Sequence, residues 1–151
     1  MLKDELIDIR NEPRYVGTRR GEDFVLLLLK EIIPEIEEGR VQIALIVREE
    51  GIKTYVVARS SDPFISAAKS IIGPQGSRIA EIKKQIPERF EIIEFKMDKE
   101  DLLIEIFKKN LISLSFKDEV AYIEAIAVGT KSFPLLEIKV FNHFFPNITV
   151  E

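Results

Sequence analysis

Ile71-Ile72-Gly73-Pro74-Gln75-Gly76-Ser77-Arg78-Ile79 sets two glycines around two residues, with apolar side chains close on either side. Glycine twice at that spacing indicates a turn that needs positive φ or close approach by another group, because a Cβ would block either. Pro74 fixes one φ and stiffens the turn. Downstream, Ile79, Ile82 and Ile86 recur at helical spacing, with Lys83 and Lys84 off that line. Upstream, Ala67, Ala68, Ile71 and Ile72 keep the same period after Ser61-Asp62-Pro63, a helix start. The stretch therefore reads as helix, Gly-x-x-Gly turn, helix. The N–H groups and positive dipole end that open the second helix face whatever approaches the turn, and a phosphate suits them.

Working outward, Glu22 or Asp23 starts a helix through the apolar run Phe24–Leu29, which Pro34 and Gly39 close. Val41–Val47 is a strand by its β-branched content, Glu50-Gly51 a turn, and Thr54–Arg59 the returning strand of a hairpin. Pro87 ends the second loop helix, Phe90–Phe95 alternates as a strand, and Asp98 caps a helix through Leu102, Leu103, Ile106 and Phe107. The order predicts an α+β domain over residues 23–109 with three strands. Residues 1–22 are polar and aperiodic and read as an arm, with a short strand around Leu6 to Ile9. Its Arg14, Arg19 and Arg20 are taken as a solvated tail in preference to phosphate contacts.

With 46% hydrophobic and 32% charged residues, the 151-residue chain is globular. It has no cysteine, which excludes disulfides and thiolate metal sites. No apolar run approaches the ~20 residues of a membrane span, and the first residues lack a signal-peptide core, so the expectation is a cytoplasmic protein with no membrane partner. The net charge of -4 is unusual for a nucleic-acid binder, but its distribution is uneven. From Lys53 to Lys84 the basic residues Lys53, Arg59, Lys69, Arg78, Lys83 and Lys84 face only Asp62 and Glu81. The glycine turn lies in the one clearly basic part of an acidic chain, as a local phosphate-binding face requires.

A Gly-x-x-Gly turn between two helices resembles the loop with which KH domains clamp about four nucleotides of single-stranded RNA. The predicted element order resembles that of the type II KH fold, which packs helices on one face of a three-stranded sheet. A longer run resembles the first KH domain of the NusA family of transcription termination and antitermination factors. It comprises Ile33-Pro34-Glu35-Ile36, the hairpin Val47–Val57, Ser60-Ser61-Asp62-Pro63, Ile72–Arg78 and Arg89–Phe95. The resemblance runs from about Thr18 to about Leu111 and implies binding of single-stranded RNA. The implied contacts are Ile72, Gly73, Pro74, Gln75, Gly76, Ser77, Arg78, Lys69, Lys83, Lys84 and Arg59. Backbone N–H groups near Gly76 and Ser77 and the basic side chains would take phosphates. Bases would lie between the loop and the edge of the hairpin strand ending at Arg59. RNA polymerase or a transcription complex is the implied larger partner, although the family's polymerase-gripping and OB-fold domains have no counterpart in this length. Four positions depart from the family pattern. Gln75 stands for lysine or arginine, Ser66-Ala67 for Asp-Pro, and Lys69 for a small residue that it replaces with charge.

The tail, 110–151, reads as a degenerate second KH-like module. Leu111–Phe116 is a strand, and Lys117-Asp118-Glu119 is expected to start a helix through Val120, Ile123 and Ile126. Gly129-Thr130-Lys131-Ser132 falls where a second loop would be, with a Cβ at the second glycine position. Phe141, Phe144 and Phe145 read as core packing in preference to a base-stacking platform. No catalytic constellation, metal site or cofactor loop is present in the sequence, and His143 lies apart from any nucleophile motif. An enzyme is not expected. Rival readings are an RNA role in ribosome assembly or translation, and a KH-derived protein-interaction module that has lost RNA binding.

Overall fold

The structure is a computed structural model describing residues 14–16, 19–125 and 135–151 and, at 14–16, 19, 20 and 109, the backbone alone. The expected strand at Leu6–Ile9 and the loop Gly129–Ser132 lie outside the described residues. The chain divides into two compact units, Met1–Phe95 and Lys96–Glu151.

The first unit runs β1 (Arg14–Val16), α1 (Arg19–Ile32), α2 (Pro34–Glu37), β2 (Val41–Glu49), β3 (Lys53–Ser60) and α3 (Ala67–Ile72). A 3-10 turn, Pro74–Gly76, then leads into α4 (Ser77–Gln85) and β4 (Arg89–Glu94). The sheet order is β1-β2-β3-β4, with β2 and β3 antiparallel and β4 parallel to β3. The three expected strands and their helices are present. A fourth strand, β1, lies within the residues read as an arm; three residues carry no period, and they become a strand by pairing in parallel with β2. α1 starts at Arg19, three residues before Glu22, so that Glu22 lies in its first turn.

Val25, Leu26, Leu28 and Leu29 of α1, Ala67 and Ile71 of α3 and Ile82 of α4 form a core with Ile43, Ile46, Val56, Ala58 and Ile92 of the sheet. Side chains alternate across a strand, so Ile43 and Ile46, three apart, belong on opposite faces. A register shift between Ile43 and Leu45 leaves Ala44 as an extra residue, which turns both isoleucines toward the helices.

A buried polar network closes the hairpin end of this unit. Arg48 donates from Nε and Nη2 to the two oxygens of Glu88, each at 3.0 Å, and from Nη1 to the Gly21 carbonyl at 3.2 Å. Glu88 also accepts from the Gly51 N–H at 3.1 Å and from the Thr54 hydroxyl. Burial would raise its pKa, but these hydrogen bonds and the Arg48 charge outweigh it and hold the carboxyl below its ordinary value. Glu22 is fully buried beside them. One of its oxygens accepts the Arg48 N–H at 3.2 Å, and the other meets no partner among the described residues. Burial pushes its pKa from 4.5 up to about 7, against the pull of that hydrogen bond. A carboxyl with a raised folded pKa favours the fold as a neutral acid, so its contribution is full below pH 4.5 and is lost as pH rises through about 7. Urea titrations of the wild type and Glu22→Gln between those pH values and above should diverge. The wild type loses on the order of 3 kcal/mol relative to the variant, and parallel pH profiles would disprove the assignment.

The second unit runs α5 (Lys99–Phe107), a 3-10 turn (Lys108–Asn110), β5 (Leu111–Lys117), β6 (Val120–Ala125), α6 (Leu135–Phe144) and β7 (Thr149–Val150). Asp98 caps α5 by accepting the Asp101 N–H at 3.0 Å. The helix expected from Lys117 is instead the hairpin return. Asp118 adopts a left-handed φ of 56°, and β6 pairs antiparallel with β5 and parallel with β7. Val120 and Ile123 mimic helical spacing, whereas exposed Tyr122 and Glu124 alternate with buried Ala121 and half-buried Ile123. Over so few residues the two periods are indistinguishable, and pairing on both sides decides. The order helix, hairpin, helix, parallel strand repeats that of the first unit. Phe141 and Val140 are fully buried, and the Phe141 and Phe145 rings stack at 5.3 Å.

Candidate nucleic-acid interface

α3 begins at Ser66, whose hydroxyl oxygen accepts the Lys69 N–H at 3.2 Å. Its N-terminus is also held by Glu94 at the end of β4, which accepts from the Ser66 hydroxyl at 2.9 Å and from the Ala67 and Ala68 N–H groups at 3.2 and 2.8 Å. The carboxylate occupies the end of the helix that favours an anion and fixes α3 to the outer strand of the sheet. α3 then ends at Gly73, whose N–H donates to the Lys69 carbonyl at 2.8 Å.

The two glycines serve different physical ends. Gly73 has φ 80° and ψ 169°, and a Cβ there would stand 2.6 Å from Arg78 Cγ and 2.9 Å from its backbone N. Gly76 is left-handed at φ 75° and ψ 16°, and a Cβ there would meet only Ile79, at 3.9 Å. Gly73 is thus required by packing inside the turn, whereas Gly76 needs its sign of φ and leaves its outer side open. Between them, exposed Gln75 is also left-handed, at φ 56°. The Gly76 N–H donates to the Gly73 carbonyl at 3.0 Å, and the Ser77 N–H to the Pro74 carbonyl.

Arg78 lies beneath the turn. Its Nη1 donates to Glu35 Oε1 of α2 and to the Ser70 carbonyl of α3, each at 2.7 Å. Burial raises the Glu35 pKa, but the Arg78 hydrogen bond leads the opposing pulls and sets the carboxyl below its ordinary value. Arg78 therefore braces α2, α3 and α4 around the loop. Glu35 stands beside the acidic residues Glu37 and Glu38, and its partner lies 43 residues away, a pairing no local pattern reveals.

The remaining expected contacts are spread along the two helices. Lys69, exposed, stands one turn before Gly73, and Ile72 is 37% exposed at the helix end. Lys83 and Lys84 are exposed near the far end of α4, roughly 9 Å along the axis from Ser77. The Lys84 ammonium lies 3.5 Å from Glu81. Arg59 lies at the end of β3, at the other end of α3 from the loop, and donates to Gln42 at 3.0 Å. The strand edge expected there does not exist, because β3 is interior, flanked by β2 and β4. The outer strand packed against α3 is β4. Local alternation identifies strands but does not order them.

Residues 19–95 match the model of the NusA-like first KH domain. The chain belongs to this NusA-like KH family. Relatives named transcription termination/antitermination protein NusA include those of Thermus thermophilus and Mycobacterium tuberculosis. The former is 32% identical over 92 residues, 60% of this chain and 24% of the relative. The latter is 26% identical over 119 residues, 78% of this chain and 34% of the relative. The NusA-like chain thus spans about a third or less of the length of these relatives. Among solved structures, the crystal structure of APE1850 matches with TM-score 0.56 at 14% identity, covering 89% of this chain and 100% of that one, a likeness of fold. Among the described residues no helix is long and apolar enough to cross a membrane.

Proposed function

We propose that this NusA-like KH protein binds single-stranded RNA at the Gly73–Gly76 turn and acts in transcription, modulating elongation, termination or antitermination in the cytoplasm. The observation that carries the reading is the turn itself: Gly76 presents open space without a Cβ beside exposed Lys69, within the segment that matches the family. Lys69, Lys83 and Lys84 supply positive charge to phosphates along α3 and α4. Pro74, Gln75 and Ser77 line the close approach, and Ile72 offers apolar contact to a base. Arg78 contributes by positioning, since its Nη1 is committed within the protein. Bases are expected beside the turn on the side of β4, the outer strand packed against α3. The second unit is a reduced KH module, a reading supported by its repeated element order.

The test is binding of a short mixed-sequence single-stranded RNA at two salt concentrations, by the wild type and by a Pro74→Asp/Gln75→Asp variant. Both residues are exposed, so circular dichroism should be unchanged while two carboxylates repel phosphate. The wild type is expected to bind with a log-log salt slope near -0.7 per phosphate contacted, and the variant at least about tenfold more weakly. Equal affinities would remove the loop from the RNA site. Absence of binding by both would favour a protein-interaction role for the fold.

A further inference from the structure

Phe64 is 95% exposed, the most exposed large apolar side chain among the described residues, yet its backbone is tightly held. Its N–H donates to Asp62 Oδ1 at 2.9 Å, and the Ser60 hydroxyl donates to the Asp62 carbonyl at 2.8 Å and accepts the Asp62 N–H at 3.0 Å. The Ile65 N–H donates to the same carbonyl at 3.1 Å, and the Ser61 N–H ties the turn to the Arg40 carbonyl at 3.0 Å. The ring thus projects from a locked turn with little backbone entropy left to lose on binding. Of its two chain neighbours Pro63 is exposed and Ile65 packs on the core, so one proline is the apolar surface that the adjoining chain adds to the ring. Exposed Arg59 precedes it by five residues and exposed Lys69 follows by five. An exposed aromatic ring flanked in the chain by two exposed cations suits a nucleobase, whose flat face stacks on the ring while the adjoining phosphates meet the cations. A protein partner would call for contiguous apolar surface.

We propose that Phe64 is a stacking platform for one base of the single-stranded RNA, at the opposite end of α3 from the glycine turn, roughly 9 Å of helix away. This rests on the RNA-binding reading above and extends its site by a position that reads bases instead of phosphates.

The chain has no tryptophan, so Phe64→Trp introduces a single indole reporter. Titrating the full chain with the same mixed-sequence RNA should quench that fluorescence, saturating with binding measured by anisotropy. Phe64→Ala, with unchanged circular dichroism, should weaken binding roughly 5- to 150-fold, the range for one lost stacked base. Its salt slope should equal that of the wild type, because no phosphate contact is removed. If the wild type binds, the loop variant does not, and Phe64→Ala binds as tightly as the wild type with no quenching of the indole in the Phe64→Trp variant, the stacking proposal fails while the RNA reading stands. If the wild type itself does not bind, both fail together.

Discussion

Gly73→Ala is expected to destabilise the first unit by roughly 2–6 kcal/mol. Its φ of 80° with ψ of 169° lies in a region open essentially to glycine alone, and forcing a side chain there costs about 1–3 kcal/mol. The added Cβ would also stand 2.6 Å from Arg78 Cγ and 2.9 Å from Arg78 N. Arg78 has little freedom to yield, because its guanidinium is tied to Glu35 and to the Ser70 carbonyl and its N belongs to the first turn of α4. Overpacking of this kind adds about 1–3 kcal/mol. Gly76→Ala is the internal comparison. Its Cβ would meet nothing closer than 3.9 Å, so only the left-handed φ is penalised, by about 1–2 kcal/mol. Urea denaturation of the two variants should separate them clearly. Equal, small losses would mean that Gly73 is not packed as described.

Arg48→Met should cost about 3–5 kcal/mol, because it strands a buried carboxylate. The Glu88 side chain is only 2% exposed and that of Arg48 10%, and the pair is bidentate. Without Arg48, Glu88 keeps the Thr54 hydroxyl and the Gly51 N–H but loses the one opposite charge among its hydrogen-bond partners in the described residues. The Gly21 carbonyl loses its donor as well. Replacing both members with apolar residues of similar size is often close to neutral, so Arg48→Met/Glu88→Met should recover a large part of the loss. A double-mutant cycle measures this directly. If the double variant is as unstable as the sum of the two single ones, the network is not coupled as the geometry implies.

Read from residues alone, the candidate site was legible where chemistry is local. Two glycines with two residues between them, one of these a proline, and isoleucines at helical spacing on both sides specify helix, turn and helix, because positive φ and amphipathic period are properties of neighbouring residues. The β-branched runs at Val41–Val47 and Thr54–Arg59 around Glu50-Gly51 specified the hairpin for the same reason. The stretch from Lys117 reads as a helix, because its few apolar residues fit a helix and a strand alike. Its neighbours β5 and β7, the latter 24 or more residues downstream, made it a strand.

What sequence order could not carry was every contact made across the fold. The interior place of β3, the three-residue β1, the capping of α3 by Glu94, the bracing of Arg78 by Glu35 and the burial of Glu22 against Arg48 join residues 26 to 43 positions apart, or depend on which strands lie side by side. Charged residues at Glu22, Glu35 and Glu88 have the composition of solvated surface. They become structural because packing removes water from one side of them and places a cation or N–H on the other. Local pattern thus determined the elements and the glycine turn proposed as the RNA site, and long-range packing determined which charges stay outside, because only packing decides where water is removed.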